Sequence, residues 1–119
     1  MAGPLQIKSY AFALRIAQLS DELQKSRKEY VISRKLLDSG INIGLFIEEG
    51  RQGDDRIDLR QKYSLANKEA FKANFLLRLL RDTHHLNADT AESLLSECEE
   101  LQKMLIAAIK TLRSSEPNT

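Results

Sequence analysis

The two histidines of this sequence, His84 and His85, are its first candidates for metal chemistry. They are adjacent and lie in the segment DTHHLN, which has the composition of a turn. Histidines that bind one metal from a helix stand four residues apart, so that both rings face the same point. A carboxylate di-metal site in a helical bundle requires Glu-x-x-His pairs, and the sequence contains none. We therefore predict no metal site.

The single cysteine, Cys98, is the most nucleophilic side chain available. A lone cysteine excludes an intrachain disulfide and is typical of a reducing cytoplasm. It occupies an apolar heptad position, which predicts a buried, unreactive thiol. The serines lie in no nucleophile elbow, and the chain has no phosphate-binding loop. Lys68 and Glu69 suit polar contacts between helices or subunits better than acid–base catalysis. We predict a protein that is not an enzyme and has no cofactor.

Basic side chains form the remaining candidate site. Eighteen Lys and Arg balance seventeen Asp and Glu, so the chain has no overall field that would attract nucleic acid, and any such site is a local patch. Basic clusters bind a phosphate backbone or simply form a solvated face, and the composition alone is compatible with both. The candidates surround the predicted first turn and the end of the third predicted helix: Lys25, Arg27, Lys28, Arg34, Lys35, Arg78 and Arg81.

Two long apolar seams indicate the elements that position these side chains. Their apolar residues recur at alternating steps of four and three, which is a helical pattern. The first seam consists of Leu59, Tyr63, Ala66, Ala70, Ala73, Leu77 and Leu80. The second consists of Ala91, Leu94, Cys98, Leu101, Leu105, Ala108 and Leu112.

Two further helices are predicted before these seams. The first begins near Pro4 and ends at a polar turn over residues 24–29, and the second runs from about residues 28–30 to Glu49. Gly40 and Gly44 lie inside the second helix, where each costs roughly 1 kcal/mol relative to alanine. Close approach of another helix is the simplest compensation, and a kink that splits the helix is the alternative.

Small residues in the third helix suggest a partner for these glycines. Ala66, Ala70 and Ala73 stand at the centre of its seam, where leucine would be usual. We expect the glycines of the second helix to face these alanines in a tight helix pair.

Helix ends are also predicted from single residues. Gly50 is expected to close the second helix with a left-handed backbone. Asp54 or Asp55 is expected to cap the third helix, and Asp89 or Thr90 the fourth. The fourth helix is expected to end between Leu112 and Ser115.

These elements predict an all-α fold, an antiparallel up-down-up-down four-helix bundle with short connections. At 119 residues the chain has the length of a single domain, 1–119, with frayed ends at about 1–5 and 114–119. It has no apolar run near the ~20 residues that span a membrane, and its start does not resemble a signal peptide. We expect a cytoplasmic protein with no membrane partner.

Three segments resemble a known family. They are KEYVISRKLLDSG (28–40), INIGLFIEEG (41–50) and KYSLANKEAFKANFLLRLL (62–80). Together they are similar to the small bacterial four-helix-bundle proteins encoded in intervening sequences of large-subunit ribosomal RNA genes, which are often grouped with ribosomal proteins. The chain departs from the family pattern at Phe46, where asparagine is usual, and at Lys72, Ala73, Phe75 and Leu76, where Glu, Thr, Tyr and Trp are favoured.

The resemblance implies a bundle that assembles into a homopentamer and has no established enzymatic activity. The chain also resembles the accessory protein of diversity-generating retroelements, a pentameric bundle that binds nucleic acid and a reverse transcriptase through a basic surface. We therefore expect a homo-oligomeric interaction protein that binds RNA or a ribonucleoprotein through a basic surface. A protein-only oligomeric adaptor, which uses exposed apolar residues, is the alternative.

Overall fold

The structure, a computed structural model, describes residues 2–116. Within them the chain forms four α-helices: α1 (Pro4–Ser26), α2 (Val31–Gln52), α3 (Arg56–Asp82) and α4 (Ala88–Ser114). The all-α bundle that the sequence predicts is confirmed.

The helices pack in the order in which they follow one another along the chain. α2 packs against α1 and α3, and α4 packs against α3, so each helix lies antiparallel to its sequence neighbour over a body 52 Å long. Contact between α1 and α4 is the least extensive of the four pairs. Two ion pairs cross it, Lys8–Glu100 and Arg15–Glu97, both at 2.7 Å.

One apolar core runs along the axis of the bundle. Both predicted seams face it, although Leu59 and Ala108 are only partly buried. α1 and α2 fill the other half with Phe12, Ile16, Leu36, Ile43 and Ile47, each at most 1% exposed. Burial of these side chains is the main favourable term for the fold.

The two glycines of α2 face α1, and the expected pairing with the alanines of α3 is wrong. α2 continues without a break through both residues. A Cβ atom on Gly40 would lie 2.8 Å from Cγ2 of Ile16, whereas one on Gly44 would have its nearest neighbours, in Ser9, at 3.9 Å. Gly40 therefore allows the close approach of α1, while Gly44 leaves open space.

Gly50 does not end α2, which corrects a second prediction. It lies buried inside the helix, which continues to Gln52, and the C-cap residue Gly53 has an extended backbone with φ of −79°. A Cβ atom on Gly50 would lie 3.0 Å from Leu59 and 3.1 Å from Lys62. This glycine therefore permits contact with α3, and the chain turns three residues later.

The predicted N-cap is confirmed for α3 and wrong for α4. Asp55 caps α3, because its carboxylate accepts a hydrogen bond of 2.8 Å from the N–H of Ile57. α4 is capped by Asn87, whose Oδ1 accepts from the N–H of Thr90 at 2.8 Å, and not by Asp89 or Thr90 themselves. An Asn side chain at this position satisfies an N–H that has no partner within the helix.

The predicted frayed ends, about 1–5 and 114–119, lie only in part within the described residues. Pro4 starts α1, and Leu5 packs against the core. After α4, the Glu116 carboxylate pairs with the Arg60 guanidinium of α3. Met1 and residues 117–119 lie outside the described residues.

Candidate nucleic-acid interface

Two chain connections lie side by side at one end of the bundle. Residues 27–30 join α1 to α2, and residues 83–87 join α3 to α4. The antiparallel arrangement places both connections at the same end, so side chains more than 50 positions apart in sequence become neighbours.

The second residue of each connection has a left-handed backbone and is not glycine. Lys28 has φ of 57° and His84 has φ of 63°. Each helix closes with a hydrogen bond that spans its last turn, from Glu29 N–H to the Leu23 carbonyl at 3.1 Å and from His85 N–H to the Leu80 carbonyl at 3.0 Å. The second is a Schellman cap, and the first spans one residue more; glycine is the usual left-handed residue at such helix ends. Two side chains able to carry positive charge therefore occupy positions that glycine would fill with less strain.

Arg27 and Arg81 come together in a shallow depression at this end. The depression has a volume of about 500 Å³, and His84, Asn87 and Ala88 also line it. Asp82 also lines the depression, and its carboxylate accepts hydrogen bonds of 2.8 and 3.2 Å from Arg81. The hydrogen bond and charge of Arg81 lower the pKa of Asp82.

Arg27 and Lys28 are exposed, and Lys25 pairs with Asp21 at 3.2 Å. We call Lys25, Arg27, Lys28, Arg81 and His84 the basic end.

The acidic residue of the first connection, Glu29, is bound to the start of α2. The Glu29 carboxylate accepts hydrogen bonds from the N–H groups of Val31, Ile32 and Ser33, at 3.2, 3.1 and 2.8 Å. Burial alone would raise the pKa of Glu29, but these three donors together with the nearby His85 outweigh it and hold the pKa below its ordinary value. Glu29 thus caps α2, for which Tyr30 at the N-cap position makes no side-chain bond.

The other three basic candidates lie on the flanks of the helices. The Arg34 guanidinium stacks over the Tyr30 ring at 5.7 Å. Arg78 lies over Phe75 at 5.6 Å and donates to Asn74. Lys35 borders a groove between α2 and α3. The structure therefore brings the first-turn residues together with Arg81 and leaves Arg34, Lys35 and Arg78 as an extension along the sides.

The predicted packing residues of α3 lie in the core. Ala66, Ala70 and Ala73 are fully buried, and the Cys98 thiol of α4 donates a hydrogen bond of 3.2 Å to the Ala70 carbonyl. Burial raises the pKa of Cys98 to about 12. The thiol is therefore protonated at neutral pH, as its heptad position predicts, and is unsuited to nucleophilic attack.

Acidic, histidine and cysteine side chains do not gather into a metal site: within residues 2–116 no group of three lies close enough to hold an ion. No helix in this part of the chain is long and apolar enough to cross a membrane.

Sequence reasoning overlooked His84 as a neighbour of Arg27. The signal was present, because three short connections between four antiparallel helices place the first and third at the same end.

The fold and this surface define a class: antiparallel four-helix-bundle proteins with a basic end. Within that class, the chain belongs to the family described as 23S rRNA-intervening sequence protein, whose sequence profile matches residues 5–107. This confirms the family resemblance.

A solved structure supports the same assignment. The chain is similar to a protein of unknown function from the S23 ribosomal protein family of Bacteroides thetaiotaomicron, with 37% sequence identity and a TM-score of 0.88. The similarity covers 89% of this chain and 98% of the other. No curated protein gives a significant match.

Proposed function

We propose that this protein is a non-enzymatic, cytoplasmic, homo-oligomeric scaffold that binds RNA or a ribonucleoprotein through its basic end. The observation that carries the proposal is the meeting of Arg27, Arg81 and His84 around one depression, beside the exposed Lys28. Arginine side chains suit phosphate because the guanidinium offers paired donors to its oxygens. Two donors of Arg81 bind Asp82, so phosphate would compete with that carboxylate there. The family description names 23S rRNA intervening sequences, which makes RNA the first nucleic acid to test.

Oligomerisation makes the small patch effective. The formal net charge of one chain is only +1, so a single copy attracts nucleic acid weakly. Several basic ends in one particle bind one RNA together, and the second contact then forms at high effective concentration. The pentamer that the family resemblance implies would present five such ends.

The test is RNA affinity measured by fluorescence anisotropy as a function of salt. If RNA binds through its phosphates, the logarithm of the association constant should fall linearly with the logarithm of the salt concentration. Changing Lys25, Arg27 and Lys28 together to Glu should lower the affinity and reduce the salt slope by up to about three. The matched control changes Lys103, Lys110 and Arg113 of α4, which are also exposed, to Glu. Equal affinities for the two triple variants would contradict the assignment of the basic end.

A protein-only adaptor is the second candidate function. Large apolar side chains are exposed on α1, among them Ile7 and Tyr10, which suits contact with protein better than contact with phosphate. An oligomer with no measurable RNA affinity at low salt would favour this alternative.

A further inference from the structure

Tyr30 is a large aromatic side chain that serves neither a helix cap nor the core. It occupies the N-cap position of α2, where Ser, Thr, Asp or Asn is usual, and its side chain makes no capping bond. The Glu29 carboxylate caps the helix instead, through the N–H groups of residues 31–33. Tyr30 lies outside the apolar core and is 41% exposed. The fold therefore does not account for an aromatic ring at this position.

The Tyr30 ring forms a stacked pair with an arginine. The guanidinium of Arg34, one helical turn further along α2, lies over the ring with its central carbon 5.7 Å from the ring centroid. Arg34 is exposed, and within residues 2–116 no carboxylate pairs with it. The pair thus presents an aromatic ring and a positive charge at the same point of the surface.

Unpaired nucleotides suit this pair of side chains. Proteins bind single-stranded nucleic acid by stacking bases on aromatic rings and guanidinium planes while positive charges contact the phosphates. Tyr30 ends the connection 27–30, which also contains Arg27 and Lys28 of the basic end. A ring two residues from Lys28 is close enough to stack on the base of a nucleotide whose phosphate the basic end contacts. The bases of a duplex are already stacked on one another, so a duplex offers the ring no open base.

A second arginine–aromatic pair lies on α3, where Arg78 lies over Phe75 at 5.6 Å. The depression beside Phe75 is lined by two carboxylates, Asp38 and Glu69, as well as by two lysines, so its charge is balanced. Next to the first pair, in contrast, the Glu29 carboxylate is already bound by three N–H groups. The surroundings of the first pair therefore favour an RNA strand more than those of the second.

We propose that Tyr30, with Arg34 over its ring, stacks on an unpaired base, so that the protein selects RNA with single-stranded nucleotides over continuous duplex RNA. This inference rests on the RNA binding of the proposed function. It names the class of RNA and the side chain that selects it.

The first test compares affinities for a short single-stranded RNA and for the same sequence as a duplex, measured by fluorescence anisotropy. The wild type should bind the single strand more tightly. Tyr30→Leu keeps an apolar side chain but no ring, so it should bind the single strand about fivefold more weakly or worse. Tyr30→Phe keeps the ring and should bind like the wild type. Because Tyr30→Leu removes no phosphate contact, the salt slope should stay that of the wild type.

The matched control is Tyr10→Leu. Tyr10 is 72% exposed and lies on α1, roughly 24 Å along the helix from Ser26. The same change at this position should leave the affinity for the single strand unaltered. Position 30 is exposed too, so each variant should keep the helical circular dichroism of the wild type.

A second test detects stacking directly. The chain contains no tryptophan, so Tyr30→Trp introduces a single indole as a fluorescent reporter. A base that stacks on the indole quenches its emission, so single-stranded RNA should quench Tyr30→Trp and duplex RNA should not. The emission of Tyr10→Trp should respond to neither.

Three results would overturn the proposal: equal affinity of the wild type for single strand and duplex, equal affinity of Tyr30→Leu and the wild type for the single strand, and Tyr30→Trp emission that RNA leaves unchanged. In each case a wild type that binds RNA still supports the proposed function. A wild type that binds neither RNA at low salt would overturn both.

Discussion

At the residue scale, Lys28 and His84 are the most informative positions. Each has a left-handed backbone at a helix C-terminus, where a side chain with a Cβ atom is strained and glycine is usual. Strain of this kind often occurs at functional sites. Both residues belong to the basic end. Contact with phosphate would explain why Lys28 and His84 occupy positions where glycine would be less strained.

The two glycines of α2 give a prediction at the same scale. Gly40→Ala forces a methyl group to within 2.8 Å of Ile16, so it should lower the free energy of unfolding by about 1–3 kcal/mol. Gly44→Ala meets no close atom and should raise stability by up to about 1 kcal/mol through helix propensity. Urea unfolding of both variants and the wild type checks this. The protein concentration is chosen so that all three have the same oligomeric mass before urea is added. Equal stabilities would show that Ile16 moves aside without cost.

At the element scale, α2 depends on a cap supplied from outside the helix. The Glu29 carboxylate binds three N–H groups of the first turn, and a protonated carboxyl accepts such bonds less well. Its pKa is lowered on folding, so its contribution is complete above the ordinary pKa of 4.5 and is lost as pH falls through the lower pKa of the folded state.

Glu29→Ala should therefore reduce the free energy of unfolding by about 1 kcal/mol at pH 7, and the difference from wild type should narrow by pH 3. Denaturant unfolding of both proteins at the two pH values measures this. Glu22→Ala, at an exposed position in α1, is the control and should differ little from wild type at either pH. A Glu29→Ala difference that does not change with pH would show that the charge of the cap is unimportant.

At the scale of the whole molecule, the arrangement of surfaces connects fold to function. The basic end lies at one end of a body 52 Å long, while an apolar groove lined by Tyr10, Leu14 and Leu45 lies on its side. An oligomer that formed through the sides would leave the ends free. Copies packed side by side in one orientation would thus present their basic ends together.

The corresponding prediction concerns mass in solution with and without structured RNA. We expect an assembled wild type whose mass increases when RNA is added at low salt and returns to its original value at high salt. Light scattering on a sizing column measures both states. A mass that RNA leaves unchanged would favour the protein adaptor, and a single-chain mass would contradict the proposed assembly.

The sequence by itself determined the helices, their order and most of the core. The spacing of apolar residues in α3 and α4 is a local property, since residues three and four apart share one helix face whatever the helix packs against. The Asp55 cap, the buried Cys98 and the antiparallel topology follow from the same kind of evidence.

Only the tertiary structure decided which surfaces meet. Gly40 and Gly44 signal that something approaches α2, but spacing along one helix does not identify the neighbour, which is α1. Gly50 has the residue type of a helix end and lies inside α2, because contact with α3 at Leu59 and Lys62 outweighs its low helix propensity. The meeting of Arg27 with Arg81 and His84 likewise depends on how the two connections pack. Contacts between distant residues are set by the three-dimensional packing of all four helices, which no local pattern records.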